Sequence, residues 1–450
     1  SEDNVDELIK KNAITTLVKA LDANRDDPAA AAALVLVTPF LSSAPAGADP
    51  GWLVLVGRTT VVAAIAMMVL FLTFFLLVGG IVIAGAANAV TVTDAAGKVL
   101  YSKTGETAKG SHDFEWNGEL RVAVEDWQMK GIKEEADLRN SFGDHVELLN
   151  QEQIQARIKS PIYKGALWDP DGTALVDPAR LVWGLERACI SLGVKIFENS
   201  HVDRLERTKN GMIVYTPYGS VYAPKVALAT NVFKSLIKRA HKYVVPVYDF
   251  QLVTEPLTAE QLKSIGWSDR EGLSDAGNQF HYYRLTKDNE ILWGGYDAIY
   301  NFRGKVRQEY ETDAETYAHL AEAFLETFPQ LKGIKFTHGW GGAIDTCSRF
   351  SPFWGTAHKG RVAYVLGYTG LGVASTRFGA QVMLDLLDKV DNERTRLHMV
   401  RKKPMPFPPE PFRFIFIRLT QWSINKADEN NGKRNLWLKL LDSLGLGFDS

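Results

Sequence analysis

The sequence predicts an α/β fold with α+β character. Buried-strand patterns alternate with helix patterns in the C-terminal half, and an aromatic, strand-like region covers residues 243–344. The clearest unit joins an apolar strand at 362–366, a glycine-rich turn and a helix at 378–387. With 450 residues, 46% of them hydrophobic, the chain can bury two or more cores. A formal net charge of -2 gives no overall basic footprint for nucleic-acid binding.

The glycine-rich turn holds the most informative local pattern. Glycines between a strand and a helix let the backbone approach a ligand closely, and they direct N–H groups and the positive helix end at an acceptor or anion. The same residues also suit a tight turn that only needs positive φ angles, so a cofactor site and a plain turn both stay open. The turn reads Gly367, Tyr368, Thr369, Gly370, Leu371, Gly372, Val373.

Local signals place the other elements. Residues 177–192 are predicted as a helix, because Asp177 is a favoured N-cap and Pro178 a favoured first residue. A second helix is predicted at 313–328, inside the aromatic region. The predicted strands are 194–197, short alternating strands within 202–221 around turns at 210–211 and 218–219, and a buried strand at 226–230.

Several motifs between about residue 119 and residue 450 occur together and in one order. They are LWDPDGTALVDPAR (167–180), VALATN (226–231), YVVPVYD (243–249), GNQFHYYR (277–284), LWGGYD (292–297), WGGAIDTCSRF (340–350) and the glycine turn. This part of the chain resembles the D-amino-acid oxidase and glycine oxidase superfamily of flavin-dependent amine oxidoreductases. The resemblance implies a flavin-binding parallel-sheet domain (176–239 and 346–395), an antiparallel substrate domain (119–175 and 240–345) and a C-terminal extension (396–450).

The resemblance also implies a reaction and a cofactor. FAD is expected to accept a hydride from the carbon next to the nitrogen of a small amine or amino acid, and oxygen or another acceptor then reoxidises it. The residues expected near FAD are the glycine turn Gly367–Val373 together with Val202, Ala229, Thr230, Asn231, Gly341 and Gly342. For Val202 an ordinary strand role stays open, and no metal site is predicted because no histidine stands at a ligand spacing.

The expected substrate side combines strand alternation with the resemblance. Alternation puts Tyr282 and Arg284 on one face of their strand and Tyr283 on the other. Arg284 is expected to hold a carboxylate, with an ordinary ion pair as the alternative. The other residues expected to act on the substrate are Tyr283, Tyr296, Trp340 and Arg349, with packing as the alternative for the tyrosines. Asp345 is expected to fix Arg349, with an ordinary buried turn pair as the alternative.

The first 118 residues follow a different pattern. The family's opening motif G-x-G-x-x-G, which holds the dinucleotide pyrophosphate, is absent from the whole chain. Residues 1–58 are interpreted as a helical or linker segment. Residues 90–118 alternate as a β-hairpin and resemble the β domain of the flagellar hook-capping scaffold protein, which indicates a junction between two unrelated parts near Gly118.

The uncharged run at 59–89 allows two interpretations. It is long enough to cross a bilayer, and it also fits a buried β-α-β unit without the usual glycines. A membrane span would anchor a cytoplasmic C-terminal part to the inner membrane. The alternative function is therefore a membrane-anchored or flagellar-type structural protein whose oxidase-like domain is catalytically silent.

Overall fold

The computed structural model describes residues 91–93, 99–102, 114–295, 297–444 and 446. Within them the strands are β1 Thr91–Thr93, β2 Val99–Ser102, β3 Glu119–Ala123, β4 Glu147–Asn150, β5 Gly165–Asp169, β6 Arg204–Arg207, β7 Met212–Thr216, β8 Gly219–Ala223, β9 Val226–Leu228, β10 Val245–Thr254, β11 Gly272–Asp275, β12 His281–Leu285, β13 Ile291–Gly295, β14 Phe336–Thr346, β15 Phe353–Ala357 and β16 Val362–Leu366. The α-helices are α1 Gln128–Ser141, α2 Gln151–Arg157, α3 Pro178–Ser191, α4 Ala259–Ile265, α5 Ala314–Thr327, α6 Gly372–Asp388, α7 Glu393–Arg396, α8 His398–Arg401, α9 Phe412–Glu429 and α10 Leu436–Ser443.

The larger sheet has eight strands in the order β14-β10-β13-β12-β11-β3-β5-β4. Its neighbours are antiparallel except for β11 and β3, which run parallel. One face is apolar: Tyr248, Phe250, Tyr283 and Trp293 are buried there, together with Phe324 of α5. Large aromatic side chains contribute most of the buried area in such a layer. The other face is therefore the one available for polar chemistry.

A smaller sheet carries the glycine turn. Strand β16 pairs in parallel with β9 and antiparallel with β15. Helix α6 packs on this sheet through Val382 and Leu387, which share a buried cluster with Trp354 and Val365. The antiparallel strands β6, β7 and β8 form a separate three-stranded sheet, whose Met212 joins the apolar cluster beneath β9. This mixed architecture agrees with the predicted fold class.

Two helix predictions are confirmed at their starts. Asp177 caps α3 by accepting a hydrogen bond from the Arg180 N–H at 3.0 Å, and α5 begins after the N-cap Asp313. The strand predicted at 194–197 is wrong: the Val194 N–H donates to the Cys189 carbonyl at 3.0 Å, which closes the end of α3. Helix α6 begins at Gly372, earlier than the predicted residue 378, so the turn leads directly into it.

The described part of the N-terminal region corrects the predicted junction. Strands β1 and β2 pair antiparallel, with Thr91 opposite Ser102. Residues 114–118 do not continue that hairpin, because Glu115 exchanges backbone hydrogen bonds with Leu175 and the Gly118 N–H donates to the Thr173 carbonyl. Phe114 packs beside the core of the smaller sheet. These residues thus belong to the same fold as β3.

The apolar run at 59–89 lies outside the described residues, so neither interpretation of it is tested. In the part of the chain that the structure describes, no helix is long and apolar enough to cross a membrane. No group of three or more histidine, cysteine or acidic side chains is positioned to hold a metal ion within that same part.

Candidate functional site

A buried carboxylate holds the glycine turn in place. Asp345, at the end of β14, accepts a hydrogen bond from the Gly367 N–H at 2.6 Å. Burial raises the pKa of Asp345 to about 7, and the backbone N–H groups of Gly367, Tyr368 and Thr369 act in the opposite direction. The Cys347 N–H donates to the Thr369 hydroxyl at 3.1 Å. The first half of the turn is therefore fixed to the larger sheet.

The backbone of this turn requires glycine at its start. Gly367 has a φ of 81°, Thr369 of 52° and Gly370 of 91°, all in the left-handed region. A Cβ atom on Gly367 would also lie 2.9 Å from the Cβ of Cys347. Close packing and positive φ thus explain Gly367 without a ligand.

The second half of the turn leads into a helix whose first N–H groups no side chain caps. Helix α6 begins at Gly372, and no side chain caps its N-terminus. The first N–H groups of a helix lack partners within the helix, and its dipole makes that end positive. Leu371, just before the helix, is 56% exposed. Among the turn residues, Gly372 and Val373 therefore carry N–H groups at the positive end of the helix.

The end of β9 lies next to the turn. Parallel pairing aligns Val226 with Val362 and Leu228 with Tyr364, so Ala229, Thr230 and Asn231 follow β9 at the same edge of the sheet as the turn after β16. Ligands of open α/β sheets bind at this carboxyl edge. The predicted residues 229–231 and 367–373 therefore both lie at this edge.

Two buried polar atoms at this edge lack a protein partner. Thr230 is 2% exposed and Asn231 is 6% exposed, and the Thr230 Oγ1 and Asn231 Oδ1 atoms have no hydrogen bond within the described residues. Asn231 also has a left-handed φ of 47°. Buried polar groups normally find a partner, so these atoms indicate a place for a polar ligand. The side chain of Val202 is buried in the apolar cluster beneath β9.

The polar face of the larger sheet carries a chain of three buried side chains. The Gln251 Nε2 donates to the Tyr282 hydroxyl at 3.1 Å, and that hydroxyl donates to the Asp249 Oδ2 at 2.5 Å. Burial raises the pKa of Asp249 to about 7, and the hydroxyl of Tyr282 opposes this shift. The Gln251 Oε1 keeps no partner within the described residues. We refer to Gln251, Tyr282 and Asp249 as the polar chain.

Strand register places Trp340 beside this polar chain. Trp340 of β14 lies opposite Gln251, and Gly342 lies opposite Asp249. The indole Nε1 of Trp340 is buried and has no hydrogen-bond partner in the described part of the protein. Gly341 points to the other face, where a Cβ would lie 2.4 Å from the Phe250 ring. Of the two predicted glycines, only Gly342 therefore adjoins the polar chain.

Arg284 lies on the same face, near the junction of the two sheets. It is 8% exposed, and its Nη1 donates to the carbonyl of Val176 at 3.0 Å. It lines a small cavity of about 150 Å³ together with residues that include Asp177, Arg180 and Glu290. The guanidinium is thus buried at a junction of the fold, rather than exposed in a surface ion pair.

Tyr283 and Arg349 are placed differently from the prediction. Tyr283 is fully buried on the apolar face, where its hydroxyl lies 2.7 Å from that of Tyr163 and its ring centroid 4.4 Å from that of Trp293. Arg349 donates to the backbone carbonyls of Pro352, Met399 and Lys402 and to the Ser351 hydroxyl, at 2.5 to 3.0 Å.

These contacts correct one prediction about the site and bear on two others. Asp345 holds the glycine turn and does not fix Arg349, whose donors bind carbonyls of the loop, of α8 and of the residue after it. Tyr283 shows the packing that was the alternative for it, and substrate roles for Tyr283 and Arg349 stay predictions. Tyr296 lies outside the described residues.

Asp249 and Gln251 were missed by the sequence analysis. Their signal was present: in the strand 245–254 they interrupt an apolar sequence two residues apart, which places both on one face. Tyr282 was named on the correct face but given no role.

Comparison with known proteins finds relatives that are named as oxidoreductases. Over 308 residues the chain is 30% identical to a probable oxidoreductase, OrdL, of Haemophilus influenzae, covering 66% of this chain and 67% of that protein. It is also 30% identical over 289 residues to the gamma-glutamylputrescine oxidoreductase of Escherichia coli, covering 62% of each. The matched stretch thus spans about two thirds or less of these relatives.

Solved structures share the fold. The iminodiacetate oxidase of Chelativorans sp. BNC1 superposes with a TM-score of 0.56 at 16% identity, covering 84% of this chain and 97% of that one. The glycine oxidase of Geobacillus kaustophilus gives a TM-score of 0.54 at 15% identity over 62% of this chain and 73% of that one. Residues 95–386, well over half of the chain, match the family described as FAD dependent oxidoreductase, DAO. The protein therefore belongs to the DAO family of FAD-dependent oxidoreductases.

Proposed function

We propose that the protein oxidises the carbon–nitrogen bond of a small amine or amino acid with FAD as its cofactor. The observation that carries this proposal is the pair of buried, unpartnered polar atoms, Thr230 Oγ1 and Asn231 Oδ1, beside the uncapped start of α6. A ligand with hydrogen-bonding groups would give these atoms partners, and the family's cofactor has such groups. The relatives named as oxidoreductases support the same reaction class.

The residues of the carboxyl edge fit the flavin end of FAD. Ala229, Thr230 and Asn231 would hold it from β9, and Gly370, Leu371, Gly372 and Val373 would hold it from the turn and α6. Val202 would support this edge from the apolar cluster below. When bound, FAD supplies the acceptor for a hydride from the carbon next to the substrate nitrogen.

The polar face of the larger sheet would bind the substrate. Trp340 walls the site at Gln251, and Gly342 places no side chain opposite Asp249. Tyr282 and Gln251 orient the substrate nitrogen through hydrogen bonds. Asp249, whose pKa is raised to about 7 by burial, is suited to take a proton from a substrate ammonium at neutral pH. Arg284, buried on the same face, stays the candidate for a substrate carboxylate.

The test uses the purified chain of 450 residues. We expect it to copurify with FAD and to lose the absorbance of the oxidised flavin when an amine substrate from a panel is added without oxygen. A chain that contains no FAD and cannot be reconstituted with it would refute the proposal. A chain that holds FAD but is reduced by no amine or amino acid would retain the cofactor assignment and refute the substrate class.

A further inference from the structure

A cavity of about 630 Å³ opens at the amino-terminal edge of the smaller sheet. Lys225 immediately precedes β9 and Arg361 immediately precedes β16, while the glycine turn follows the other end of β16. Five residues of strand separate the two ends by about 16 Å. Six of the nine lining residues are cationic: Arg207, Lys209, Lys225, Lys359, Arg361 and Lys389. We call this feature the basic cavity.

The charge of the basic cavity is mostly uncompensated. Lys225 pairs with Asp388. Within the described residues, the other five cations have no acidic side chain within ion-pair distance. Like charges brought together repel one another, and a bound anion relieves that repulsion. The surroundings also lower the pKa of the neighbouring His358, through burial and then through the charges of Arg207 and Arg239.

Hydrogen bonds and constrained φ angles hold the backbone around the basic cavity in one conformation. The Arg361 guanidinium donates to the carbonyls of Asn210 at 2.8 Å and Lys209 at 3.0 Å, which joins the β6–β7 turn to the start of β16. His358 and Lys359 have φ angles of 50° and 61°, in the region that residues other than glycine rarely adopt. Such strained positions persist where the surrounding structure enforces them, and they cluster at functional sites.

We propose that the basic cavity binds a multiply charged phosphate group. Arginine and lysine side chains are the usual partners of phosphate oxygens, and six of them line the cavity. No aromatic side chain lines the cavity in the described structure, so it offers no stacking surface for a nucleobase. Its volume lies in the usual range for ligand pockets, which favours an oligophosphate over a single phosphate ion.

The test measures binding of inorganic triphosphate to the full chain by calorimetry at low ionic strength. We expect saturable binding that weakens at least tenfold in a Lys209→Gln, Lys389→Gln double variant. The control is Lys263→Gln, Lys332→Gln, which removes the same charge from exposed positions elsewhere and should bind as the wild type does. FAD content should be equal in all three proteins, because the cavity and the glycine turn lie at opposite ends of β16.

A second arm separates a free phosphate from a lipid headgroup. Vesicles of phosphatidylcholine containing phosphatidic acid are tested for cosedimentation with the same three proteins. Triphosphate binding without vesicle binding identifies a soluble ligand, and vesicle binding that only the cavity variant loses identifies the headgroup. Equal loss in the cavity and control variants, or no binding in either arm, would overturn the proposal.

Discussion

Gln251 and Tyr282 form a hydrogen bond across an intervening strand, directly over Gly294. A Cβ atom on Gly294 would lie 2.5 Å from the Cγ of Gln251 and from the Tyr282 ring, so only glycine allows the two side chains to meet. The bond also orients the Tyr282 hydroxyl toward Asp249. Glycine in the middle strand is therefore a condition for the polar chain.

Replacing Tyr282 by phenylalanine should impair turnover. We expect kcat/KM for the amine substrate to fall about tenfold, the effect of losing one hydrogen bond to a charged group. Because the hydroxyl lowers the pKa of Asp249, its removal should move the acidic limb of the pH–rate profile to higher pH. The matched control is Tyr283→Phe, on the apolar face. Its hydroxyl bonds to Tyr163 and Asp275 and not to Asp249, so the change should lower the free energy of unfolding by about 1 kcal/mol and leave the acidic limb that Asp249 sets in place.

Replacing Gly367 by alanine should damage the turn. The left-handed φ and the contact with Cys347 together predict a loss of about 2–4 kcal/mol in the free energy of unfolding, with weaker FAD retention. Gly333→Ala is the control, because Gly333 has a φ of 95° but open space around it. It should cost about 1 kcal/mol in urea unfolding. Equal losses at both positions would contradict the packing argument.

Arg349 should prove to be a structural residue. Arg349→Ala removes donors from three backbone carbonyls and should lower the free energy of unfolding by about 2–4 kcal/mol. The kcat per bound flavin should stay within about twofold of wild type. Arg187→Ala, at an exposed position of α3, should change neither quantity. A large fall in kcat per flavin for the Arg349 variant would restore the catalytic role predicted from the sequence.

The pH dependence of stability should reflect the buried Asp275. Its pKa is raised by burial to about 7, so the folded state binds a proton more tightly than the unfolded state between about pH 4 and pH 7. Asp275 therefore lowers the stability of the protein as the pH rises through that window. His281 acts in the opposite direction, since burial lowers its pKa to about 4.

Comparing variants separates the two effects. We subtract the free energy of unfolding of Asp275→Asn from that of the wild type. This difference should decrease from pH 4.5 to pH 7, by about 1 kcal/mol or more per pH unit over most of that range. The measurement is urea unfolding at several pH values. Asp288→Asn, at an exposed position, is the matched control for the loss of one carboxylate. A flat difference for the Asp275 variant would show that its carboxyl stays ionised throughout.

Local patterns in the sequence predicted the elements that local interactions determine. The N-caps Asp177 and Asp313 fixed two helix starts, and the glycine turn after β16 was recognised from its apolar strand. The contacts of Asp249, Gln251 and Tyr282 could not be read in this way, because they depend on the register of β10, β13 and β12. Strand alternation gives the face of a residue but not its neighbour across the sheet.

Arg349 illustrates the same limit in a loop. Its motif lies beside the glycine turn in the resembled family, which suggested chemistry. Its actual partners Met399 and Lys402 are backbone carbonyls about fifty residues further along the chain. Backbone acceptors are available from any residue type, so no sequence pattern distinguishes them in advance.

The neighbouring glycines of β14 restrict where the chain can gain or lose a residue. Gly341 accommodates the Phe250 ring on one side of the sheet and Gly342 adjoins Asp249 on the other. A single-residue insertion or deletion between residues 336 and 340 would exchange those environments and turn Trp340 toward the aromatic layer. We therefore expect libraries of insertions and deletions to be depleted throughout this strand, while the exposed positions just before it tolerate them.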